Sequence, residues 1–127
     1  MYRFALFAAT LAGLAACEAP SSGTADAASA PSRIATDADF ARIADKKLVL
    51  NDDVFFILRS DGVLTGETPT GPVIGTHEMR DGFWCRTLTQ GAPNAPRKEC
   101  QVLELDGDQL TGTRDRGRGS SYTLTVT

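Results

Sequence analysis

The chain has 127 residues, with 13 Lys plus Arg against 16 Asp plus Glu, three Cys and a single His, for a formal charge of −3. That length suits one ordinary domain, the acidic balance offers no basic footprint for nucleic acid, and one His excludes a multi-histidine metal site. No apolar run approaches the roughly 20 residues of a transmembrane helix.

Residues 1–16 are patterned as a secretory leader. Arg3 supplies the positive start, and Phe4 to Ala16 is almost wholly apolar yet shorter than a membrane span. The chain then reads Leu14-Ala15-Ala16-Cys17, which resembles the lipobox of bacterial lipoproteins. The resemblance covers residues 1–17 and implies that Cys17 becomes the first mature residue and carries the acyl chains. Its thiol is the group that lipid transfer needs, and the small residues before it suit the signal peptidase. Two or more acyl chains anchor a protein stably where one does not. By the same resemblance, Glu18 in place of Asp implies sorting to the outer membrane of the cell envelope, facing the periplasm. Removal of Arg3 with the leader leaves 12 basic against 16 acidic side chains, a net charge of −4.

Residues 17–36 follow as the anchored Cys and a linker. From Glu18 to Thr36, fifteen of 19 residues are Ala, Ser, Pro, Thr or Gly, and Ile34 is the one sizeable apolar side chain. This composition cannot bury a core, so a flexible tether is expected. A single folded domain is expected over residues 37–127. Thr36 with Asp39 three residues on is a helix-start pattern, and Phe40 and Ile43 share a face, predicting one short helix over 37–44.

The hydrophobic period then changes to that of strands. Leu48–Leu50, Val54–Leu58, Val63–Glu67, Val73–Arg80, Phe83–Leu88, Glu99–Leu105, Gln109–Thr113 and Tyr122–Val126 read as eight strands. Turn signals such as Asp61-Gly62, Asp81-Gly82 and Asp106-Gly107 separate them. Such spacing predicts an all-β, mainly antiparallel meander, closed as a barrel or split as a sandwich. With Cys17 acylated, Cys85 and Cys100 remain as an even pair in an oxidising compartment, and a disulfide between them is expected.

Candidate chemistry is sparse. His77 and Glu78 are adjacent on a strand and so face opposite sides, which weakens a hydrolase reading. Asp52-Asp53 and Asp106/Asp108 fall in turns, where Asp bonds its own backbone. Arg114, Arg116 and Arg118 crowd one glycine-rich loop, an arrangement suited to an anion. Trp84 reads either as a core aromatic beside the disulfide or as a ligand-stacking ring at a barrel mouth. Gly117-Arg118-Gly119-Ser120-Ser121-Tyr122 starts like a dinucleotide fingerprint but has Tyr at the third glycine position and leads into a strand, so no cofactor is expected.

The run Gly62 to Arg86, with Gly66, Gly75, Asp81-Gly82, Trp84-Cys85-Arg86 and later Cys100, resembles small uncharacterised exported alphaproteobacterial β domains. Proteins of that look have carried the name dihydrodipicolinate reductase, which these residues do not support. Gly119-Ser120-Ser121-Tyr122 resembles a loop of lysozyme inhibitors, displaced here to the C-terminus. The expectation is a lipid-anchored, non-catalytic β domain that binds a small apolar ligand or an envelope protein. An inhibitor of a periplasmic or host enzyme (lysozyme or protease) and a small hydrolase are the alternatives.

Overall fold

Eight aliphatic side chains decide the architecture: Leu48, Leu58, Leu64, Val73, Leu88, Leu103, Leu110 and Leu124 are each buried, and each lies on a different strand. The computed structural model describes residues 30–127; the leader, Cys17 and most of the tether lie outside the described residues. Nine strands form: β1 (Ser32–Ile34), β2 (Lys47–Asn51), β3 (Val54–Leu58), β4 (Val63–Thr68), β5 (Gly71–Arg80), β6 (Phe83–Gln90), β7 (Arg97–Asp106), β8 (Gln109–Thr113) and β9 (Ser121–Val126). From β2 to β9 each strand pairs antiparallel with the next, and β9 returns to β2, so the sheet closes into an eight-stranded up-and-down barrel. Side chains alternate in and out along each strand. The inward set meets in one apolar core, and each buried Leu or Val contributes about 1.5–3 kcal/mol.

The turns follow from local chemistry. Asp81 and Gly82 both take positive φ, 54° and 80°, in the two-residue β5–β6 hairpin. This is the conformation whose twist matches the flanking strands. Two interior glycines make room for rings. Gly66 stands opposite Phe56, and Gly112 opposite Tyr122. A Cβ at either glycine would collide with the facing aromatic ring.

The domain begins earlier than its composition suggests. The tether was expected to reach Thr36, but Ser32–Ile34 pair with Leu105–Leu103 of β7, and Ile34 is fully buried. This β1 occupies the edge of β7 that β6 leaves, since β6 pairs only with residues 97–101. A three-residue strand has no periodicity to read; its burial depends on an edge made 70 residues later in the chain.

The helix α1 (Asp37–Phe40) is shorter than the expected 37–44 span. Its start is as predicted. Asp39 N–H donates to Thr36 Oγ1 at 3.2 Å, and Thr36 N–H donates to Asp39 Oδ2 at 3.1 Å. The Ala35 and Thr36 amides hold the Asp39 carboxyl below its ordinary pKa. Residues 41–45 continue as turns, and Asp45 stops them at φ 61°. Asp45 N–H donates to Leu58 O at 2.8 Å, and its carboxylate accepts from Ser60 N–H at 3.0 Å. This pins the segment under the barrel, where the buried Phe40 and Ile43 close one end.

Cys85 and Cys100 are directly opposed on β6 and β7, and they form the expected disulfide. Trp84 precedes Cys85, so it points inward while the bridge lies on the outer face. The bridge spans a sequence separation of 15. Chain-entropy arguments assign about 3 kcal/mol to a loop of that size. The double variant C85A/C100A is expected to unfold in urea with a stability lower by about 3 kcal/mol; an unchanged midpoint would show the bridge to be energetically idle.

Candidate functional site

The barrel has two unlike ends. One is closed by α1. At the other, formed by the β2–β3, β4–β5, β6–β7 and β8–β9 connections, a cavity of ≈ 200 Å³ enters the barrel. Its floor and walls are mostly aliphatic, among them Leu58, Leu64, Leu103 and Leu124. Arg86, Arg114 and Tyr122 also line it, and Trp84 lines it on the closed-end side, beside His77.

Behind those residues lies a polar network inside the barrel. Arg86 stands opposite Glu99 in the β6–β7 register and donates from Nη2 to Glu99 Oε2 at 3.2 Å. Arg114 Nη1 donates to the same oxygen at 3.4 Å, and Gln101 Nε2 donates to it at 3.1 Å. The Tyr122 hydroxyl donates to Gln101 Oε1. Gln101 is 0% exposed, a polar side chain fully enclosed yet satisfied on both its amide atoms. Burial pushes the Tyr122 phenol up from its ordinary pKa of 10.0, against the opposing pull of Arg86 and Arg114. The hydroxyl is therefore a neutral donor at physiological pH.

The arginines also cover aromatic faces. Arg86 lies 5.7 Å from the Trp84 ring centre and Arg114 5.3 Å from that of Tyr122. These separations suit cation–π attraction. Trp84 is 3% exposed, and its indole Nε1–H has no hydrogen-bond partner among the described residues.

The arginine loop, which reads first as a solvated hairpin loop and second as an anion site, does not bring its three arginines together. Arg114 opens the tight turn α2 (Arg114–Gly117), in which Asp115 and Arg116 take positive φ of 50° and 53°. That turn sends Arg114 inward to Glu99 and Arg116 outward, 5.6 Å above the Phe83 ring. Arg33 covers the same ring at 5.2 Å. Arg118 pairs with Asp115 at 3.3 Å in solvent. Three neighbours in sequence thus serve three different places. Trp84 is at once a core residue and a cavity wall.

His77 points into the closed end. Its ring lies 5.0 Å from Phe40 and 6.0 Å from Trp84, and Nε2 donates to Arg59 O at 2.9 Å. Glu78 faces out and binds Arg80 at 2.6 Å. The described residues hold no cluster of three or more His, Cys, Asp or Glu suited to a metal ion. Asp53 donates its backbone N–H to Asn51 Oδ1 at 3.0 Å; the Asp108 backbone carbonyl accepts from Val126 N–H at 2.7 Å, and its carboxylate accepts from Gln109 Nε2 at 3.1 Å. Tyr122, the end of the inhibitor-like tetrapeptide, is turned into the barrel.

Glu99, Gln101 and Arg86 were not singled out by sequence reasoning. A signal was present: Glu99, Gln101, Leu103 and Leu105 occupy alternate positions of one strand, so two polar residues share a face with two core leucines.

No family model, curated protein or solved structure matches the chain.

Tyr122→Phe removes the donor to a fully buried amide oxygen and is expected to cost about 1–3 kcal/mol in chemical denaturation; a neutral effect would mean that Gln101 finds another donor. Burial also pulls the His77 pKa below its ordinary 6.5, opposed by the Arg59 carbonyl and, less strongly, by Asp61. The unfolded chain therefore binds this proton more readily than the folded one. Stability is expected to be complete above pH 6.5 and to fall as the pH drops through the lowered native value. The His77→Phe variant should lose that part of the acid sensitivity, as read from melting curves between pH 5 and pH 8.

Proposed function

We propose that this chain is a lipid-anchored lipoprotein of the bacterial cell envelope whose barrel holds a small amphipathic ligand without transforming it. The observation that carries the reading is the asymmetry of the barrel: Phe40 and Ile43 close one end, and an aliphatic cavity of ≈ 200 Å³ opens at the other. Protein interiors are close-packed, with few voids larger than a water molecule, and concave apolar sites with a few convergent polar groups are the usual form of ligand pockets. Binding rather than catalysis is favoured because His77, the single histidine, lies beside the Phe40 and Trp84 rings at the closed end, with Nε2 bonded to the Arg59 carbonyl.

The anchor and compartment rest on Leu14-Ala15-Ala16-Cys17, on Glu18, and on a disulfide that an oxidising space would preserve. Export through a lipoprotein route would place the barrel on the periplasmic side of the outer membrane, held by acyl chains on Cys17. The Cys17→Ser variant is expected to lose acyl labelling and to leave the membrane fraction; retention of both would refute the anchor. Native mass spectrometry of the full exported chain tests the ligand. A releasable added mass, or uptake of one small amphiphile per chain, is expected. A bare mass that takes up none would overturn the binding reading and turn attention to protein partners.

A further inference from the structure

We infer that the ligand class is a short-chain amphipathic anion, a monocarboxylate whose head group sits between Arg86 and Arg114 and whose tail fills the aliphatic cavity. This rests on the barrel being a binding module, and it adds the charge and size of what is bound.

The charge follows from the composition of the cavity wall. Among the described residues, Arg86 and Arg114 are its charged lining residues and no carboxylate lines it. Glu99 stands behind them and offers both guanidiniums the same oxygen, Oε2. Two cations thus share one anion in a place where Arg86 and Glu99 side chains are only 12% and 13% exposed. Glu99 matches one of the two cations, and the surplus positive charge falls on Arg114, which faces the mouth and is partly solvated, so the site carries one more positive than negative charge. Each guanidinium carries five N–H donors in a rigid fork suited to a carboxylate, and Glu99 takes one terminal nitrogen of each. The Arg114 side chain, at 37% exposed, is the more open of the pair and stands where a head group would enter.

A second and independent observation is the Trp84 indole N–H, buried in the cavity wall with no partner among the described residues. Buried donors are nearly always satisfied. The tail carries no oxygen, so the acceptor for this N–H would be the head group beside Arg86, whose guanidinium lies 5.7 Å from the Trp84 ring.

The size follows from volume. A closed apolar cavity of about 150 Å³ accommodates benzene, so ≈ 200 Å³ admits a tail of roughly eight carbons, with the head group at the open mouth. A long-chain lipid does not fit inside. A strongly hydrated dianion would bring one charge more than the arginines lack.

The chain contains one tryptophan, Trp84, and it lines the cavity, so its fluorescence reports occupancy directly. The test titrates the full-length protein with octanoate, octanol and octylammonium, following Trp84 emission and heat release. Octanoate is expected to bind about tenfold or more tightly than octanol, the difference made by hydrogen bonds to charged groups, and octylammonium should not bind. Arg114→Gln should weaken octanoate by a similar factor and octanol by clearly less. Equal affinity for octanoate and octanol overturns the anion assignment while leaving a binding barrel in place. Failure of all three probes to bind overturns both. The comparison of the probes on the wild-type chain holds even if the variant fails to fold.

Discussion

The pairing of β9 with β2 is the contact on which the rest depends. It is short: Leu48 opposes Val126 and Val49 opposes Thr125, with Thr127 N–H donating to Lys47 O at 2.9 Å just beyond. Yet it joins the last strand to the first strand of the barrel. Without it the sheet would have two long exposed edges, each a template for association with another chain. With it, eight inward faces converge and share one core. Closure also creates the interior, since the cavity and its polar lining exist only inside a complete ring of strands.

The two ends of that ring are treated differently, and the difference is physical. At the end below β2 and β9, α1 supplies Phe40 and the turns after it supply Ile43, while Asp45 ties the segment to the β3–β4 turn through Leu58 O and Ser60 N–H. At the other end no described residue forms such a plug, and polar side chains stand at the mouth. Burying Arg86 and Glu99 brings little net stability compared with well-packed apolar residues. Gln101, fully enclosed, could likewise be replaced in principle by a leucine of similar volume. A barrel built only to be stable would have an apolar layer here. In the proposed reading, the Arg86–Glu99–Arg114 arrangement, with Gln101 and Tyr122 bonded to it, is the head-group site.

Glycine placement links these features to the sequence. Gly112 has no side chain where Tyr122 crosses it, which lets the phenol reach Gln101 Oε1. Gly66 does the same for Phe56. On β8 the sequence Gln109-Leu110-Thr111-Gly112-Thr113 would otherwise place a larger residue in the interior. The positive φ values of Asp115 and Arg116 then reverse the chain sharply enough to bring Arg114 in and keep Arg116 out.

Much of this was legible beforehand, and what was legible shares one property. The eight barrel strands, the Asp81-Gly82 hairpin and the Thr36–Asp39 cap all depend on residues within a few positions of one another, where periodicity and turn chemistry act directly. The Cys85–Cys100 pair was legible through arithmetic and compartment. The sequence by itself therefore determined a disulfide-stapled antiparallel β domain with a short capped helix. Only the tertiary structure decided that the sheet is a barrel, that Ser32–Ile34 belong to it, and that the arginine loop splits. It alone brought Arg86, Glu99, Arg114 and Tyr122 from separate segments into one layer. The reason is that these outcomes depend on how far each strand shears past its neighbour before the ring closes, a quantity no local stretch of residues encodes.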